Sequence, residues 1–101
     1  MKVKAAFLFV APQTDSNVHQ AVIETPAIIL KVIGVENYEQ GVQVAKALVE
    51  EGIGAIELCA GFGNEGTALI SKAVGEKAQV GVVRFDAHPA FGFKSGDTLF
   101  Q

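Results

Sequence analysis

Apolar residues fall along this chain in two kinds of run: short continuous ones, and longer ones broken at every third or fourth position. Val3–Val10 is of the first kind, rich in aromatic and branched side chains, and it stops before Pro12. Its near-continuous apolarity predicts a strand covered on both faces, as in parallel sheets. Thr14 to Glu24 reads as a connection, with a helical turn over Asn17–Ile23 capped from Asp15 or Ser16. Thr25-Pro26 then opens a second strand, Ala27–Val35, and Lys31 in its middle implies that one face reaches the sheet edge or solvent.

The periodicity changes after Asn37, which is a good N-cap. Tyr38, Val42, Ala45, Leu48 and Val49 recur at helical spacing, with Glu39, Gln43, Lys46 and Glu50 opposite and Gly52 as a terminator. This predicts a helix over Tyr38–Glu51. Ile53–Cys59 reads as a third strand, Asn64–Val74 as a second helix ending at Gly75, and Gln79–Phe85 as a fourth strand. Residues 86–101 read as an irregular tail. The order is a βαβαβ core preceded by one strand, which implies mostly parallel pairing through right-handed crossovers. The predicted fold is a single compact α/β domain spanning residues 1–101, with about four strands and two main helices.

Composition narrows the class. A chain of 101 residues supports one core rather than two. It buries only about 65% of the surface its unfolded form exposes, so self-association would add to a thin stability margin. Half of the residues are hydrophobic and 19% are charged, which excludes intrinsic disorder. A net charge of −3 leaves no electrostatic footprint for nucleic acid. Cys59 stands alone, so an internal disulfide and a CxxC zinc cluster are both excluded. Two lysines precede the apolar run Ala5 to Ala11, but that run is far shorter than the roughly 20 residues of a membrane span. No signal-peptide cleavage pattern follows it. The expectation is a soluble, cytoplasmic protein without membrane contact.

The sharpest motif is Gly61-Phe62-Gly63-Asn64-Glu65-Gly66, lying between the third strand and the second helix. Asp86 closes the next strand, and together they follow the pattern of a dinucleotide-binding unit. In that pattern the glycines let the backbone approach a pyrophosphate, helix amides face the anion, and the acid holds a ribose hydroxyl. With 11 glycines in the chain, the bare spacing has roughly a one-in-eight chance of arising somewhere by accident. Too little chain follows for a second βαβαβ half, and Glu65 puts a negative charge where a phosphate would sit. A polar-ligand site and a structural turn are therefore the two other readings of this loop, with nucleotide binding the narrowest of the three.

Ligands of parallel α/β sheets bind beyond the carboxyl ends of the strands. Glu57, Cys59, Arg84, Asp86 and His88 fall there or close by. As catalytic candidates, Cys59, Asp86, His88 and Glu57 supply a thiol, a titratable base and carboxylates. As ligand contacts, Gly61, Gly63, Asn64, Arg84 and His88 supply backbone amides, a cation and an imidazole. Each has a plainer role too. Cys59 reads as a small buried apolar residue, Glu57 and Arg84 as one partly buried salt bridge, and Asp86 as a turn former. His88 before Pro89 is held extended on a loop and is the better candidate for proton transfer or ligand contact. His19 reads as a surface residue. The set also contains the donor types of a divalent metal site, although no specific metal motif is present and no cofactor is indicated.

The tail carries Phe91, Phe93, Leu99 and Phe100, which must bury somewhere. They can close over the strand ends or pack on a second subunit, and a homodimer contact is the expectation. The blocks Lys4–Pro12, Val22–Pro26, Ile56–Gly63, Val80–Asp86, His88-Pro89 and Lys94–Asp97 resemble an uncharacterised family of prokaryotic α/β proteins of this length. The distinctive parts are the blocks around Cys59 and Arg84, and the chain departs from similar sequences in having Ala60 in place of a glycine. The resemblance implies a small stand-alone protein and carries no activity, substrate or catalytic residue. Ala45–Cys59 is also similar to βα units of TIM-barrel aldolases, but eight such strands do not fit in this length.

Overall fold

Five strands form one sheet in the order β2-β3-β1-β4-β5 in the computed structural model, which describes residues 2–101. In chain order these are β1 (Val3–Val10), β2 (Gln20–Glu24), β3 (Ile28–Val35), β4 (Ala55–Leu58) and β5 (Gln79–Val82), with helices α1 (Tyr38–Glu50) and α2 (Asn64–Val74). The strands β3, β1, β4 and β5 are parallel, whereas β2 runs antiparallel to β3. The single α/β domain read from the sequence is present, as a mixed, mostly parallel sheet. No helix among the described residues is long and apolar enough to cross a membrane.

The strand β2 corrects the helical turn expected over Asn17–Ile23. Asp15 does start a turn, accepting from the amide of Asn17 at 2.8 Å and, through its carbonyl, from that of His19 at 2.7 Å. The turn ends there because Ala21-Val22-Ile23 reach further hydrogen bonds by extending along β3 than by coiling. Pro26 keeps Thr25 extended, and the Thr25 hydroxyl accepts from Ala27 and Ile28 at 3.1 Å, closing a hairpin. β3 is thereby an inner strand, and Lys31 does not reach an edge: its ammonium pairs with Glu51 beyond α1. β4 and β5 are shorter than expected: β4 begins at Ala55 and not at Ile53, and the ladder hydrogen bonds end with the amides of Cys59 and Val83.

Both crossovers step the same way across the sheet, from β3 to β4 and from β4 to β5. Right-handed connections then place both helices on one face. Ala6, Leu8 and Val10 of β1, Ile33 and Val35 of β3, and Ile56 and Leu58 of β4 point to that face. They form the core with Tyr38, Ala45 and Leu48 of α1, Ile70 and Val74 of α2, and Phe62. Neither helix covers the opposite face, contrary to the expectation from the apolar Val3–Val10 run.

The tail is not irregular throughout. Short 3₁₀ turns form at Pro89–Phe91 and Gly96–Thr98, and His88 bridges to Lys94. Phe100 is buried against the core and Phe91 is partly so, while Phe93 and Leu99 remain exposed. The tail thus closes onto its own domain, the alternative to the subunit contact expected for it.

The ladder assigns opposite roles to neighbouring β2 amides. Thr25 donates to Ile28 and Gly34 donates to His19, so by alternation Ile23 faces β3 and Val22 faces off the edge. Ile23→Pro should cost about 1–3 kcal/mol in urea unfolding, the penalty of a broken ladder bond, while Val22→Pro should cost less than half of that. Equal losses would contradict the strand.

Candidate functional site

The loop from β4 to α2 carries the glycine motif, and its geometry is set from within the chain. Phe62 turns inward, 1% exposed, and stacks on Tyr38 with ring centroids 5.5 Å apart. Gly63 is the N-cap of α2 and supplies no side-chain acceptor for the first amides. Asp97 supplies it from the tail. Its carboxylate accepts from the amides of Glu65 at 3.1 Å and Gly66 at 3.2 Å, and from the Tyr38 hydroxyl at 2.8 Å. That hydroxyl accepts in turn from the Gly63 amide at 3.0 Å.

The glycines of the motif serve this contact. A Cβ on Gly63 would lie 2.3 Å from the Asp97 carboxyl, and one on Gly66 would lie 2.5 Å from the Tyr38 ring. On the tail side, a Cβ on Gly96 would meet the Gly61 carbonyl at 1.7 Å. The carboxylate of Asp97 therefore stands where the sequence pattern suggested an external anion. Neither Asp97 nor Tyr38 was singled out from the sequence as a polar partner for this loop. The available signal was the Ser95-Gly96-Asp97 turn, in which Ser95 Oγ accepts from the Asp97 amide at 3.1 Å.

Burial works to raise the pKa of Asp97, but the Glu65 amide, the Tyr38 hydroxyl, the Gly66 amide and the charge of Arg84 outweigh it. The carboxylate is held below its ordinary value. Burial drives the Tyr38 hydroxyl well above its ordinary value; the Gly63 amide opposes this and the Asp97 carboxylate reinforces it. Tyr38 is therefore a neutral donor at any pH at which the protein is handled.

The expected cluster of Glu57, Cys59, Arg84, Asp86 and His88 divides. Arg84 donates to the Phe85 carbonyl at 2.6 Å and pairs with Asp86 at 3.0 Å, the Asp86 side chain being 94% exposed. His88 packs against the same Phe85, edge to face at 5.1 Å, and stacks on Phe91 at 3.9 Å. Its Nδ1 accepts from the Ala90 amide at 3.1 Å, so in the neutral ring the proton is on Nε2. The backbone at His88 is extended, as the following proline requires.

Glu57 lies apart, exposed on the face away from the helices and level with Phe7 and Gly81. The salt bridge expected between Glu57 and Arg84 is not formed, because alternation along β4 turns Glu57 onto that face and Asp86 takes the guanidinium. Cys59 is partly buried, and its Sγ accepts from the Gly61 amide at 3.3 Å. Asn64 is exposed at the first turn of α2 and caps nothing. His19 is exposed and accepts from the Asp15 amide at 2.9 Å. Among the described residues no three His, Cys, Asp or Glu side chains come together as a metal site would require. Open grooves of about 520 and 580 Å³ lie at the other end of the sheet, lined by the last turns of the helices and by Lys2–Lys4 with Gly52–Ala55.

A family model described as a family of unknown function (DUF6506) matches residues 3–98, and the chain belongs to that family. No curated protein and no solved structure matches the chain.

The Asp97 contact sets a pH dependence whose sign follows from its depressed pKa. Its contribution is complete above about pH 4, the unfolded value, and is lost as the pH falls through the lower folded value. Asp97→Ala should cost about 2 kcal/mol at neutral pH, the scale of a lost helix cap with charged hydrogen bonds. Its urea midpoint should also fall less on acidification than that of the unmodified chain. Parallel acid profiles for the two proteins would contradict this assignment.

Proposed function

We propose that this member of a family of unknown function is a small binding module, taking a small polar or anionic molecule at the carboxyl edge of its sheet. Arg84 and His88 are its contacts. The observation that carries this reading is that both side chains are anchored to Phe85, one through its carbonyl and one through its ring. They thus hold a cation and an imidazole Nε2–H beside an aromatic wall of Phe85 and Phe91. The glycine loop contributes rigidity more than contact, since its α2 amides already serve Asp97.

The partner that Arg84 has now is weakly held. A fully exposed carboxylate such as Asp86 contributes about 0–1 kcal/mol to its ion pair, so an incoming carboxylate or phosphate displaces it at little cost. The guanidinium then offers two parallel N–H groups to the new anion. Nothing in the arrangement favours a thiol–imidazole or carboxylate–imidazole pair, and no reaction is assigned.

A thermal-shift panel of phosphate, sugar phosphates, di- and tricarboxylates and nucleotides tests the reading. A true ligand at 100 times its Kd stabilises by about 2.7 kcal/mol, which in a domain of this size raises Tm by roughly 10 °C or more. Arg84→Ala should abolish the shift, whereas Asp86→Ala should strengthen binding by up to about fivefold, the worth of the released ion pair. A panel without any shift would overturn the proposal.

A further inference from the structure

The face of the sheet turned away from the helices is apolar across β2, β3 and β1, with Glu57 of β4 and Gln79 of β5 on its far side. Register aligns its side chains in rows across the strands. Ile28 lies beside Val3; Ile23, Leu30, Ala5 and Ala55 form the next row; Ala21, Val32 and Phe7 form the third. Phe9 ends the series by leaning over Gly34, where a Cβ would lie 2.4 Å from its ring. Val3 and Ile23 are more than half exposed.

Three features of this face point to one occupant. Parallel sheets are found almost only with both faces covered, yet β1, β3, β4 and β5 have helices on one face alone. The tail does not serve as the second layer, because Phe91 and Phe100 pack into the helix-side core. The face also carries almost no charge. Lys4 and Lys31 alternate onto the helix side, and Glu57 on β4, between Phe7 and Gly81, is the one charged side chain that the strands place on this face. A contact centred on β3 and β1 leaves Glu57 on the β4–β5 side of each copy, away from its centre. A partner recognised by charge would find nothing here to recognise.

The size fits as well. Five strands of four to eight residues, about 4.8 Å apart with a rise of about 3.3 Å per residue, give a plan area of about 460 Å² before side-chain relief is counted. Side-chain relief brings that toward the roughly 800 Å² per partner of a stable interface, and it is already the size of the largest apolar patch of a typical monomer, roughly 300–600 Å². Small residues (Ala5, Ala21, Ala55, Gly34) alternate with large ones (Phe7, Leu30, Val32, Ile23), which supplies both knobs and hollows to a self-complementary surface.

We infer that the bare face binds a second copy of this chain, two sheets packing face to face inside two outer layers of helices. The interface is centred on β3 and β1, not on the aromatic tail. It stands independently of the ligand reading above, because the carboxyl edge lies at its perimeter.

Sedimentation equilibrium from ~1 to ~100 µM decides the matter. The expected mass is twice the 10.6 kDa of the chain. Leu30→Glu places an unpaired charge at the centre of the interface and should weaken the dimer at least ~100-fold while circular dichroism shows the fold retained. Ala21→Lys, on the exposed β2, should act the same way and decides the question should Leu30→Glu not fold. Phe93→Lys, on the tail, should leave the dimer intact. A monomeric unmodified chain at the highest concentration would overturn the inference, leaving the face to a different protein. So would a dimer that survives Leu30→Glu or Ala21→Lys in folded form, or one lost only in Phe93→Lys.

Discussion

The carboxylate of Asp97 against the first turn of α2 is the contact on which the carboxyl edge of this protein depends. It joins three parts of the chain that are distant in sequence: the tail, the loop after β4, and Tyr38 at the start of α1. A helix that begins at Gly63 has no side-chain cap of its own, and its orphan amides would otherwise face solvent beside a buried phenol. With Asp97 in place, charged hydrogen bonds satisfy those amides, the Tyr38 hydroxyl and the carboxylate together. Each of these groups would be costly to leave alone.

From that contact follows the placement of the remaining polar groups. Ser95 and Gly96 can reach the loop only because Gly61 and Gly96 meet backbone to backbone. The tail, drawn in at Asp97, brings Phe100 into the core and Phe91 against it, and Phe91 in turn backs His88. The helix terminus is thus filled from within the chain, and Arg84 is left with an almost fully exposed carboxylate as its partner. The glycine motif works as the seat for the protein's own tail.

The one-sided layering has a similarly simple origin. The β2–β3 hairpin uses the chain between β1 and β3 for a strand rather than a helix, so no crossover connects them over the second face. The two crossovers that remain step in the same direction and share a face. A largely apolar sheet surface is left with no layer from its own chain.

Much of the architecture was legible in local pattern. The helical repeat from Tyr38, the cap at Asn37 and the near-continuous apolar run of β1 each report a short-range preference, and each is present in the fold. The strand β2 was not legible. Val22-Ile23 is too short an apolar pair to signal a strand, and it becomes one only because β3 lies beside it. The site divides in the same way. The extended backbone of His88 follows from Pro89, a neighbour in sequence, and was foreseeable. That Arg84 pairs with Asp86 and not Glu57, and that Asp97 fills the glycine loop, depends on which strand faces which and where the tail lands. The sequence by itself determined β1, β3, β4, β5, both helices and the α/β class, because these rest on patterns within a few residues. The tertiary structure alone decided the bare face and the partner of the α2 amides, because both arise between segments that meet only when the chain has closed.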